Sequence, residues 1–215
     1  VADQQGVREV RKRVRLTPEQ RTEQILAAAT RLVARKGFYG VSLQDVADEV
    51  GITQAGLLHY VRNKEGLLEL IVEQQYDRAG TPQDYIATGT PEAVHPDGPS
   101  FPGYLRYLVK FNATRPHLIQ LYMVLGTEAS SEAHPAHAYF ADRPSSVWKQ
   151  YSGVSWRLPP SIASFDDIRH LVEMSLEAMD GIQVRLFRSP TIDLVEEWLR
   201  FERVLFPSPV WDGYR

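Results

Sequence analysis

Apolar positions along this chain recur at helical spacing, and no stretch alternates in the manner of a strand. Ile25, Ala28, Ala29, Leu32 and Val33 share one helical face. Thr17, Pro18 and Gln20 ahead of them form a start signal (cap, first helical position, capping-box partner), and Gly37 ends the run. Ser42 and Asp45 open a second, short helix with Leu43, Val46, Ala47 and Val50 on its apolar side, closed by Gly51. Thr53 caps a third that reaches Tyr60, and Asn63 a fourth from Lys64 to about Arg78, a linking helix within 64–79. Four helices joined by short turns predict a compact helical unit.

Residues 80–102 hold five prolines and three glycines in 23 positions and predict a long mobile loop. Helical spacing returns in Tyr104–Thr114, His117–Ala129 and about Ala136–Tyr151, and Pro159-Pro160 break the chain again. Asp166–Arg188 carries Ile168, Leu171, Val172, Ser175, Met179, Ile182 and Leu186 in one stripe, and Thr191–Phe206 does the same with Leu194, Val195, Trp198, Phe201 and Leu205. The expected fold is all-α. It comprises an arm at 1–16, a three-helix helix-turn-helix unit at 17–63 and a second helical domain at 64–215.

Composition narrows the chemistry. The chain has 215 residues and no cysteine, which excludes disulfides, thiolate metal sites and cysteine nucleophiles. No apolar run approaches the ~18–20 residues needed to cross a bilayer, so a cytoplasmic protein with no membrane partner is expected. The net charge of −3 is unevenly spread, with 11 Lys/Arg against 7 Asp/Glu in residues 1–64 and 13 against 20 in 65–215. A basic N-terminal part suits a polyanion, and Arg8, Arg11, Lys12, Arg13 and Arg15 form a basic arm, although a solvated tail has the same composition.

Ser42–Leu68 has the outline of a helix-turn-helix. Ala47 allows close helix approach, Gly51 a sharp turn, and Ile52 and Leu57 anchor the second helix on the first. Thr53, Gln54, Gly56, His59 and Tyr60 are left on the outer side of a helix that can enter a major groove. Gln54 suits an adenine edge, and Thr53 a phosphate or thymine methyl. Gly56 lets the backbone approach the duplex. His59, Tyr60 and Lys64 suit phosphates, as do the backbone N–H groups at Ser42–Leu43 and Asn63–Lys64. The run ILAAATRLVARKGFYGVSLQDVADEVG followed by ITQAGLLHYVRNKEGLL resembles the DNA-binding domain of the TetR family of bacterial transcriptional regulators. Leu58 and Val61 depart from it at positions that are often aromatic. The resemblance implies a regulator, a repressor first, that binds a palindromic operator in double-stranded DNA as a homodimer and is controlled by a small molecule in its second domain.

Glu177–Phe201 is similar to the last two helices of many members of that family, which pair across a dimer axis. The expected interface residues are Leu171, Ala178, Gly181, Ile182, Arg185, Trp198, Phe201 and Leu205. Candidate effector contacts are Tyr104, Tyr107, Phe111, Leu118, Tyr122, Met123, Trp148 and Met174, an apolar and aromatic set that points to an aromatic or hydrophobic effector, although ordinary core packing accounts for most such residues. Glu128, His134 and His137 are zinc-ligand types at a spacing that matches no zinc-protease pattern, so neither metal nor cofactor is expected. No nucleophile elbow, phosphate loop or dinucleotide fingerprint occurs, which argues against an enzyme. The alternative reading is a helical small-molecule carrier or protein-interaction module without functional DNA binding.

Overall fold

The computed structural model describes residues 16–76 and 78–215, and the Arg8–Arg15 arm, with Arg11 and Arg13, lies outside them. Ten α-helices and no strand ladder occur among the described residues. Helix α1 spans Pro18–Lys36, α2 Leu43–Val50, α3 Gln54–Leu57 and α4 Lys64–Ile71. The capping box at Thr17 forms as a pair of backbone–side-chain bonds with Gln20, at 3.0 and 3.2 Å. Helix α4 ends short of the expected Arg78, because its last stretch, Val72–Tyr76, widens into a π-helical turn. Its aromatic end is thereby set against the second domain.

The 80–102 segment is not the open loop that its prolines suggest. Thr81-Pro82 followed by Asp84 is a start signal, and it nucleates a six-residue helix, α5 (Pro82–Ala87). Tyr85 on that helix is buried against Tyr104 and Tyr107. Ser100 is also buried and donates to the carbonyl of Tyr214 at 2.7 Å, so the segment is a strap fastened at both ends. Beyond it come α6 (Phe101–Ala113), α7 (Pro116–Glu128), α8 (His137–Ser152), α9 (Arg169–Arg188) and α10 (Leu194–Leu205).

Two apolar cores organise these helices. The first gathers α1, α2, Leu57 of α3 and Leu67, Leu68 and Ile71 of α4, and it also takes in Leu118, Leu121 and Leu125 of α7. The helix-turn-helix unit therefore shares its core with a helix of the second domain, and α1 packs chiefly on α7. The second core joins α6, α9 and α10 around Trp198, Phe101 and Phe206. Glu202, buried beside it, accepts from Arg106 Nε and Nη2 at 3.1 and 2.7 Å and from Trp198 Nε1 at 3.1 Å. A two-pronged guanidinium–carboxylate bond of this kind fixes α10 on α6 in orientation as well as position.

Candidate functional site

The helix-turn-helix is built by its caps. The hydroxyl of Ser42 donates to Asp45, whose carboxyl is held down at about 2, first by that bond and then by the backbone N–H of Ser42. Gly51 closes α2 in the left-handed region, at φ 70°, which turns the chain sharply enough to lay α3 across α2. Leu57 is fully buried and fastens α3 to the core, while Thr53, Gln54, Leu58, His59 and Tyr60 are exposed. Regular helix stops at Leu57, and a turn carries His59 and Tyr60. Thr53 Oγ1 accepts from Gly56 N at 3.0 Å, which leaves its hydroxyl hydrogen free to point outward. Lys64 lies with Nζ 4.3 Å over the ring of Phe38, so it is tethered beside the α1–α2 turn. Exposed Tyr39 and Arg62 flank this surface and were not singled out by the sequence pattern.

A joint links this unit to the second domain. Glu128, at the end of α7, accepts from the backbone N–H of Phe38 at 2.8 Å. His134 Nε2 lies 3.6 Å from the same carboxylate, its ring edge-on to Phe38 and Tyr39. Nδ1 of His134 accepts from Ala136 N at 3.1 Å, which places the ring proton on Nε2, toward Glu128. Burial lowers the pKa of this histidine and outweighs the pull of Glu128 in the other direction. His137 donates from Nδ1 to the Ala129 carbonyl at 2.8 Å. The residue types considered as zinc ligands thus tie the α7–α8 turn to α1. Among the described residues no three such groups converge on a point.

Behind the joint lies a cavity of about 540 Å³, within the range of sites that hold drug-sized molecules. Tyr76 and Gly80, Tyr104, Leu108 and Asn112 of α6, Arg115 and Tyr122, Phe140, Arg143 and Val147 of α8, and Leu176, Glu177, Met179, Asp180 and Gln183 of α9 form its walls. Tyr76 stacks on Tyr122 at 4.2 Å, and burial raises the Tyr76 hydroxyl well above its ordinary pKa. Tyr104 donates to the Gly80 carbonyl at 2.9 Å. Asp180 lines the cavity and stays accessible to solvent, and the protein packed around it pushes its carboxyl up to about 6 by desolvation. Of the eight effector candidates, Tyr104 and Tyr122 line this space. Tyr107 and Phe111 stack on each other, Leu118 belongs to the core under α1, Met123 is half-buried, Trp148 stacks on Phe165, and Met174 is exposed. The polar walls on α8 and α9 were missed because they read as solvent-facing.

The α9–α10 pair also divides differently from expectation. Trp198 is 0% exposed, and Ile182 and Leu205 are buried as well, so these three belong to the protomer's own core and have no area left for a partner. The outer face carries Gly181 and Arg185, with Leu171 and Ala178 half-buried, and Met174, Phe201 and Val204 exposed at 51%, 39% and 77%. Arg185 is bound to Glu197 at 2.8 Å.

A helix-turn-helix with its polar side outward, joined through a shared core to a helical domain with a cavity, defines the class of DNA-binding transcriptional regulators. Residues 25–71 match the model for bacterial regulatory proteins of the tetR family. Similar structures include the fatty acid degradation regulator FadR from Bacillus halodurans, with TM-score 0.58 and 17% identity over 91% of this chain and 98% of that one. A TetR family transcription regulator from Marinobacter aquaeolei VT8 gives TM-score 0.54 and 18% identity over 86% and 94%. No curated protein matches the sequence.

Proposed function

We propose that this chain is a ligand-responsive repressor. As a homodimer it binds a palindromic operator through Thr53, Gln54, Gly56, His59, Tyr60 and Lys64, with Ser42 and Leu43 at a phosphate, and a small molecule in the cavity releases it. The observation that carries the reading is the double attachment of α4 and α7. Leu67, Leu68 and Ile71 are buried in the core of the helix-turn-helix, while Tyr76, one turn further on, forms a cavity wall. On α7, Leu121 and Leu125 support the same core, and Tyr122 faces the cavity and stacks on Tyr76. A molecule that displaces the Tyr76–Tyr122 pair therefore moves both supports of the recognition helix together. Two recognition helices must sit about one helical repeat of DNA apart, or a multiple, so a small pivot costs affinity.

Duplexes enriched by the protein from a random-sequence library test this. They are expected to be palindromic, with half-sites one or two helical turns apart. Gln54→Ala should cost roughly 1–3 kcal/mol on the enriched site and relax sequence preference, whereas Lys64→Ala should weaken all duplexes alike and lower the salt slope by about one. If neither substitution changes duplex binding, the chain is a carrier or interaction module instead.

A further inference from the structure

We infer that the cavity is built for an acid: a small molecule whose carboxylate meets Arg115 beside the amides of Asn112 and Gln183, and whose apolar body lies along Leu108, Leu176 and Met179. The inference deepens the effector reading above and rests on it for its biological consequence.

Arg115 is the starting point. Its guanidinium lies on the cavity wall, 3.7 Å from the ring centre of Phe111, and its hydrogen bond runs from Nη2 to Asn112 Oδ1 at 3.1 Å. Nε is buried with no partner, and no carboxylate pairs with this cation among the described residues. Burial lowers its pKa, as expected for a cation removed from water without a counter-charge. Two under-satisfied amides line the same cavity. Asn112 is 4% exposed, and its Nδ2 reaches only the sulfur of Met179, at 3.8 Å. Gln183 is 1% exposed, lines the cavity one helical turn from Met179, and leaves its Oε1 without a partner. An amide can be turned end for end, so Gln183 offers the cavity either a donor or an acceptor.

Buried polar groups are normally satisfied, and a buried charge is normally paired. Here Arg115 and Asn112 have donors without an oxygen acceptor, and Gln183 presents a third donor once its amide is turned; an oxygen anion accepts from all three. The planar fork of arginine fits a carboxylate better than any other small anion except phosphate. Carboxyl groups also line α9, with Asp180 three residues from Gln183 and Glu177 and Glu173 further along, and Arg143 faces Asp180 from α8.

Titration calorimetry on the full chain decides the matter, with 2-naphthoate and octanoate as probes beside their neutral primary amides and the matching amines. At least one acid should bind about ten-fold more tightly than its amide and its amine. Arg115→Gln should erase that preference and Arg115→Lys should retain part of it. If Arg115→Gln does not fold by circular dichroism, Gln183→Glu takes its place; it puts a carboxylate beside Arg115 and should abolish acid binding. Failure of both acids to bind, an amine or amide that binds best, or an intact preference in the variant overturns the inference. Duplex anisotropy separates it from the effector reading. An acid that binds but leaves DNA affinity unchanged defeats the effector role alone, and release by a neutral ligand without acid preference defeats this inference alone.

Discussion

Asp180 is a carboxyl group held where ionisation is unfavourable. Burial pushes it up to about 6, Arg143 pulls it back, and Glu177 pushes it further up. In the unfolded chain the same group ionises near its ordinary value of 3.8. As pH rises between these two values, the unfolded chain loses its proton first, so this residue weakens folding, and the penalty is complete above the higher value. Asp180→Asn should therefore raise the melting temperature at pH 8 and leave it unchanged at pH 4, as read by scanning fluorimetry. An equal gain at both pH values would assign the effect to packing instead. The sequence alone hides the shift at Asp180, because an Asp that stays accessible to solvent on an amphipathic helix ordinarily keeps its usual pKa. Gln183 was missed as well, although it carried a signal: it falls in register with Ser175 and Met179 on the buried stripe of α9, and a polar residue in an apolar stripe is a signal in itself. Gln54 and Thr53 were legible for the opposite reason, since the anchor Leu57 fixes which side of a four-residue helix turns outward.

At the level of elements, α1 and α7 are held by more than apolar contact. Gly37 has φ 74°, and a Cβ there would collide with the Glu128 carboxylate that binds Phe38 N–H. Gly37→Ala should cost about 1–3 kcal/mol from backbone conformation, with the clash in addition. Glu128→Ala leaves a backbone N–H without its partner and should cost about 1–3 kcal/mol. The two are coupled: in urea unfolding, Gly37→Ala should cost less in a Glu128→Ala background than in the native protein, because the clash has gone. Additive losses would mean that the joint bears no load between the domains. Helical periodicity located α1 and α7 to within two residues but could not pair them. The stripe on α7 shows that a face is buried, not which helix covers it, and Leu118, Leu121 and Leu125 look alike whether they support α1 or α9. The strap at 80–102 was misjudged because proline was read as a breaker, whereas Thr81 ahead of Pro82 makes it a helix start.

At the scale of the whole molecule, the proposed dimer must be assembled from what one protomer leaves uncovered. The inner side of α10 is occupied, since Trp198, Leu205 and Phe206 fill the core and Glu202 holds Arg106. The outer side, with Phe201 and Val204, stands beside Met174 and Gly181 of α9, and a Cβ added at Gly181 would meet nothing within 4 Å. Two such faces related by a two-fold axis can close an apolar four-helix contact, in which Gly181 lets the backbones approach. Under the proposed function this contact is the fixed point about which a filled cavity would turn the recognition helices. Val204 touches the protomer's core least of these residues, which makes it the cleanest probe. Val204→Asp should leave the far-ultraviolet circular dichroism and melting of the protomer nearly intact, convert the sedimenting species from dimer to monomer at micromolar concentration, and weaken binding to a palindromic duplex far more than to a single half-site. A variant that still sediments as a dimer would move the interface elsewhere, and with it the lever that connects a filled cavity to a released operator.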